Sequence, residues 1–133
     1  MKRKVLAGLL TVVMAAGFVA VPGMQTEVKA DDKKLVGVAM PTKDLQRWNQ
    51  DGENMKKSLE EAGYEVDLQY ASNEVATQVS QVENMISNGC DILVIASIDG
   101  SSLGEPLSQA KEAGIPVIAY DRLLMESDAV SYY

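Results

Sequence analysis

Ile92-Leu93-Val94-Ile95-Ala96 is an unbroken apolar run between Asp91 and Ser97. Uninterrupted, β-branched runs of this length fit strands covered on both faces, as in parallel sheets. Its flanks support that reading. Upstream, Val75, Val79, Val82 and Ile86 make a helical stripe closed by Asn88-Gly89. Downstream, Leu103, Leu107, Ala110 and Ala113 make another, closed by Gly114, and Ser102 with Glu105 has capping-box spacing at its start. Val117-Ile118-Ala119-Tyr120 then follows Pro116 as the next strand.

The N-terminal side repeats the pattern. Leu35-Val36-Gly37-Val38-Ala39-Met40 is a continuous apolar run ended by Pro41. Leu45, Trp48, Gly52, Met55, Leu59 and Ala62 share one helical face, and Gly63 is placed to end that helix in a left-handed conformation. Val66, Leu68 and Tyr70 alternate as a strand. The order is β-α-β-α-β-α-β. It predicts an α/β fold with a doubly wound parallel sheet and right-handed crossovers. Residues 121–133 show no further complete helix, so the fourth strand is expected to leave one sheet edge unpartnered, an aggregation hazard.

Composition excludes whole classes of function. The 133 residues include no His and one Cys. Ser-His-Asp and Cys-His machinery, His-ligated metals, Cys₄ zinc and an internal disulfide are all ruled out. Net charge is -7, which argues against a nucleic acid partner, because phosphates call for Lys and Arg.

The first thirty residues read as a secretory signal peptide. Lys2, Arg3 and Lys4 form a basic start, residues 5–21 carry no charge, and Val28-Lys29-Ala30 offers small residues for cleavage. The uncharged run is shorter than the ~20 apolar residues of a spanning helix. No cysteine lies near the cleavage site, so lipid attachment there is not supported. Removing residues 1–30 takes away Lys2, Arg3, Lys4, Lys29 and Glu27, leaving 8 basic and 18 acidic side chains, a net charge of −10. An exported, acidic domain over residues 31–133 follows, in a periplasm or cell envelope.

Open α/β sheets bind ligands beyond the carboxyl ends of their strands. That rule selects Pro41 to Trp48 after the first strand, Ser97-Ile98-Asp99-Gly100 after the third and Asp121-Arg122 after the fourth. Asp121 supplies acceptors, and Arg122 and Arg47 supply donor forks, which suit vicinal hydroxyls. Trp48 offers a flat apolar face for the C–H side of a sugar ring, yet it also belongs to the apolar stripe of the first helix, where such residues pack inward. Asp121-Arg122 taken alone is a surface ion pair, and Asp99-Gly100 alone is a turn. Cys90 reads as a small buried hydrophobe. No G-x-G-x-x-G follows the first strand and no P-loop is present, so neither a dinucleotide nor a phosphate cofactor is expected.

The segments VGVAMPTKDLQRWNQDG (36–52), QVSQVENMISNGCDILVIASIDG (78–100) and AGIPVIAYDR (113–122) resemble the solute-binding proteins of ABC sugar importers. Within the ribose-binding, or periplasmic binding protein type I, superfamily the likeness is to the xylose-binding and multiple-sugar receptors. It runs from about Leu35 to Tyr133. The resemblance implies a lobe of flavodoxin-like strand order, one of two that close about a hinge over a single sugar, with no catalysis and no cofactor. It implies sugar contacts at Arg47, Trp48, Asp121 and Arg122, with Lys43 where some relatives place a further basic contact. Trp48 is thereby expected to be a stacking residue rather than a core one. The implied partners are an aldose of the xylose, glucose, galactose or arabinose class and an ABC permease in the membrane. A chemoreceptor partner is a second use of the same receptor. Two-lobed relatives exceed ~250 residues, so residues 31–133 are expected to form only part of the N-terminal lobe and to bind sugar weakly alone. Two rivals are a repressor domain, which would start with a basic helix-turn-helix, and a flavodoxin-fold enzyme using acidic groups; a third alternative is a truncated, non-functional fragment.

Overall fold

The computed structural model describes residues 33–133, so the expected signal peptide lies outside the described residues. The chain order is β1 (Leu35–Met40), α1 (Gln46–Glu61), β2 (Glu65–Tyr70), α2 (Val75–Ser87), β3 (Ile92–Ile95), α3 (Gly104–Glu112), β4 (Val117–Ala119) and β5 (Val130–Tyr132). All pairings are parallel and the strand order is β2-β1-β3-β4-β5. This is the flavodoxin-like order, and the seven elements expected from the apolar patterns are all present.

Side chains alternate across the sheet because the strand repeat is two residues, and both faces are covered. Val36, Val38 and Met40 face one cluster with Trp48, Val94 and Ala96, against which Met55 and Leu59 of α1 pack. Ala39, Leu93, Ile95 and Val117 face another cluster with Val82 and Met85 of α2, Leu107 and Ala110 of α3, and Leu103 just before α3. Gly37 lets α2 come close: a Cβ there would lie 2.8 Å from the Met85 sulfur.

The three helices end alike. Gly63, Gly89 and Gly114 have φ of 95°, 82° and 71°. In each case the glycine N–H bonds back to the carbonyl of Glu60, Ile86 or Lys111. The next N–H, from Tyr64, Cys90 or Ile115, reaches Leu59, Met85 or Ala110. These are Schellman pairs, which satisfy carbonyls that a helix end otherwise leaves free.

Three expectations need correction. First, β4 is not an edge: β5 pairs with it, although residues 120–129 between them contain no helix. Parallel neighbours usually need a longer, helical crossover, and the sequence carries none. Ala129 and Val130 instead attach the strand by packing on the α2/α3 cluster. Second, α3 begins at Gly104 with Leu103 as N-cap and no side-chain cap. The Ser102 hydroxyl donates to the Asp99 carbonyl at 2.8 Å, so the turn at Asp99 uses the group the capping box would need. Third, the centre of the buried face of α2 is Gln78, Val82 and Met85. Val79 and Ile86 flank that face as half-buried neighbours.

Candidate functional site

The three loops at the carboxyl ends of β1, β3 and β4 meet through two arginines. Arg47, in the first turn of α1, donates from Nη2 to Asp121 Oδ1. Its Nε lies 3.6 Å from Asp51 one turn further along. Arg122 Nη1 donates to the Ser97 carbonyl at 2.9 Å and to the Ile98 carbonyl at 3.4 Å. Tyr120 OH donates to Asp51 Oδ2 at 3.3 Å. Residues far apart in sequence thus form one polar cluster on one edge of the sheet, as the topological rule predicts.

Asp121 is held in a left-handed conformation, φ 62°. The preceding strand ends with Tyr120 N–H bonded to the Ile95 carbonyl at 2.9 Å, and Arg122 N–H turns back to the Tyr120 carbonyl at 2.7 Å. The tight turn fixes Asp121 and Arg122 on the rim. Gly100 makes room for it, since a Cβ there would lie 2.4 Å from the Leu123 carbonyl oxygen. Met125 N–H bonds to the Gly100 carbonyl at 3.0 Å and ties the two loops together.

Trp48 departs from the expected presentation. Only 3% of it is exposed, and it packs with Val36, Val38 and Met40 beneath the rim. The helical stripe of α1 points it inward, so it is a core residue here. Its ring nevertheless takes part in the cluster, with the guanidinium carbons of Arg47 and Arg122 at 4.8 and 5.2 Å from its centroid. Cation–π contact of this kind is favourable within about 6 Å. Lys43 is not brought into the Arg47–Asp121 network; its ammonium lies 4.9 Å from the Tyr70 ring centroid, over β2.

The electrostatics follow from these contacts. The hydrogen bond and charge of Asp121 hold the Arg47 guanidinium even more firmly protonated than usual. Burial first, then the charge of Asp51, pushes the Tyr120 phenol up, so it stays a hydrogen-bond donor at neutral pH. The exposed rim therefore offers carboxylate acceptors, guanidinium donors and a phenol within a few ångströms, over an apolar floor. Hydroxyls taken from water need such partners, since an unmet polar group is costly to bury. Among the described residues no group of acidic, Cys or His side chains could hold a metal ion. Cys90 is buried away at the start of β3, its thiol pushed up to about 11 by burial.

A hollow of about 190 Å³ lies beside Ala119, Asp121, Arg122, Leu123 and Tyr133. Small-molecule pockets usually enclose ~300–1,000 Å³, so this rim is a partial wall rather than a closed pocket. A larger hollow of about 360 Å³ lies at the opposite sheet edge, beside Ile115, Val130, Lys111 and Asp128. There Lys111 and Asp128 pair with each other.

Sequence reasoning missed Asp51, Tyr120 and Gln78. Asp51 stands one turn after Arg47, and that i,i+4 spacing was the available signal. Gln78 is 1% exposed, and nothing in the sequence marks it apart from other polar residues of α2.

Comparison with known proteins identifies the family. A family model described as a periplasmic binding protein domain matches residues 36–133. The multiple sugar-binding periplasmic receptor ChvE of Rhizobium radiobacter is 50% identical over 119 residues, 90% of this chain and 34% of that protein. The D-xylose-binding periplasmic protein of Escherichia coli K12 is 38% identical over 81% of this chain and 33% of that protein. A solved ABC transporter solute-binding protein from Clostridium phytofermentans, with β-D-glucose bound, is 79% identical. It superposes with a TM-score of 0.73 over 74% of this chain and 31% of that one. A carbohydrate transporter solute-binding protein from Chloroflexus aurantiacus, in complex with D-glucose, is 37% identical with a TM-score of 0.67. That match covers 75% of this chain and 30% of the other. The chain spans about a third of the length of the curated relatives it matches. These relatives are binding proteins, not enzymes. With the family match running through every described strand and helix, the chain belongs to the periplasmic binding protein family.

Proposed function

We propose that this chain carries one wall of the sugar cleft of an exported receptor, which delivers an aldose to an ABC importer. The observation that carries the reading is the Arg47–Asp121–Arg122 cluster over Trp48 at the carboxyl edge of the sheet. Solved relatives with glucose bound support a monosaccharide as the ligand. In this reading Asp121 accepts from sugar hydroxyls, Arg47 and Arg122 donate to them, and Lys43 adds a basic contact from the rim. The Trp48 ring, buried in the core, supports the two guanidiniums from below. A second lobe closes over the sugar by hinge motion, and the closed form docks on the permease. Residues 1–30 serve as the export signal.

Specificity resides in hydrogen-bond geometry, because a buried hydroxyl left unpaired costs about 1–3 kcal/mol. A panel of D-glucose, D-xylose, D-galactose and L-arabinose, titrated calorimetrically, tests the reading. The two-lobed receptor built on these residues is expected to bind at least one of them tightly, and the 133-residue chain alone to bind it far more weakly. Equal, tight binding by the isolated chain would overturn the half-cleft assignment. No binding of any aldose by the complete receptor would overturn the ligand class.

A further inference from the structure

We propose that Gln78, on α2, is a positioning residue for Arg122. Its side chain is fully buried at the centre of the inward face of a helix. Both ends of its amide are used. Nε2 donates to the Ala96 carbonyl at 3.0 Å, and Oε1 accepts the Ile98 N–H at 2.8 Å. Ala96 and Ile98 flank Ser97 where β3 ends, so one amide brackets the bend from both sides. The last ladder bond on this side is Ala96 N–H to the Ala39 carbonyl, at 2.9 Å. Beyond it the sheet no longer holds the backbone.

The bracketed residues are the ones that hold the arginine. Arg122 Nη1 donates to the carbonyls of Ser97 and Ile98. Ser97 does not orient itself through its side chain, because its buried hydroxyl has no hydrogen-bond partner among the described residues. The Ser97 carbonyl shares its peptide plane with the Ile98 N–H that Gln78 holds, so its direction rests on Gln78. The coupling runs from the α2 amide to the β3 bend, to the Arg122 guanidinium, and to the Trp48 ring beneath it. A leucine at position 78 would fit the apolar face of α2 but would leave the Ala96 carbonyl and Ile98 N–H unmet. That accounts for a polar residue at the centre of a helix–sheet interface.

The functional weight of this link rests on Arg122 being a sugar contact, but its test needs no sugar. Trp48 is the only tryptophan of the chain, and its fluorescence reports the guanidinium that covers it. In the 133-residue chain, Arg122→Ala is expected to shift Trp48 emission to the red and to raise its quenching by acrylamide. Gln78→Met is expected to do the same while far-UV circular dichroism stays native. The double variant is expected to add nothing to Arg122→Ala, because both changes act through one guanidinium. Gln78→Glu in mildly acidic solution, with its buried carboxyl protonated, keeps a donor and an acceptor and is expected to restore the parental emission. A merely structural glutamine would leave Trp48 unchanged in Gln78→Met, or give a shift that adds in full to that of Arg122→Ala. Either result overturns the proposal. If Gln78→Met does not fold, Gln78→Glu carries the test as pH is raised beside the parent chain. Movement of its band toward that of Arg122→Ala supports the link, and no movement before the fold is lost overturns it.

Discussion

The two ends of the parallel sheet solve the same backbone problem in opposite ways. At the amino ends of the strands, three helices stop in left-handed turns, and each turn is a glycine with nothing within 4 Å of where a Cβ would stand. At the carboxyl ends, the left-handed residues include Ser72 and Asn73 after β2 and Asp121 after β4. Glycine takes this conformation at no steric cost, whereas a side chain makes it unfavourable by ~1–2 kcal/mol. The amino edge is built for economy. The carboxyl edge keeps side chains where glycine would be more stable, and at Asp121 that side chain is a partner of Arg47. Strain of this kind is tolerated where a side chain is wanted.

Four substitutions test this contrast. The largest effect is expected at the floor of the carboxyl edge. Trp48→Ala removes a buried aromatic and is expected to cost about 3–5 kcal/mol of folding free energy, read by chemical denaturation. A loss below 1 kcal/mol would mean that Trp48 is not part of the core.

Asp121 comes next and separates function from stability. Asp121→Gly removes a charged acceptor but relieves the left-handed strain. In the complete receptor its aldose affinity is expected to fall about tenfold to a hundredfold, from loss of a charged hydrogen bond worth ~1.5–3 kcal/mol. Its stability is expected to stay within ~1 kcal/mol of the parent.

Gly89→Ala is the mirror experiment. It is expected to destabilise by about 1–2 kcal/mol through φ alone, with sugar affinity unchanged. A change in affinity would show that the two edges are not independent.

The smallest effect concerns ion pairs and the thiol at the amino edge. Asp128→Asn removes the exposed Lys111 pair and is expected to leave the melting temperature nearly unchanged. Lys111 holds the Asp128 carboxyl below its ordinary range, so any contribution is present at neutral pH and fades as pH falls through that lowered value. Cys90 behaves in the opposite sense. Its raised value means that stability is retained below the ordinary thiol range, near 9.0, and is lost as pH rises toward about 11. Alkylation of the folded chain by iodoacetamide at neutral pH is expected to be far slower than that of the unfolded chain.

Much of this architecture was legible in the amino-acid sequence, for physical reasons. Strands β1 and β3 are buried on both faces, so they appear as unbroken apolar runs. Gly63, Gly89 and Gly114 mark helix ends because a left-handed turn selects their residue type. The ligand edge follows from topology once strand order is known. Elements whose cause is tertiary were not legible. β5 is a three-residue strand whose place depends on packing by Ala129 and Val130. The start of α3 is set by hydrogen bonds of the Asp99 turn that compete with a capping box. Gln78 interrupts no pattern, because its burial is permitted only by two backbone partners in another element. Trp48 allowed both a core and a stacking reading in the sequence, and the structure places it in the core beneath two arginines.

If the carboxyl edge of this sheet is one wall of a sugar cleft, its side chains set sugar affinity independently of the amino edge. The direct test is calorimetric titration of the preferred aldose into the complete receptor and its Asp121→Ala and Gly89→Ala variants, each with its melting temperature measured. Binding at least tenfold weaker is expected for Asp121→Ala, and parental affinity for Gly89→Ala, although Gly89→Ala is expected to be the less stable of the two. Parental affinity in a folded Asp121→Ala receptor would contradict it.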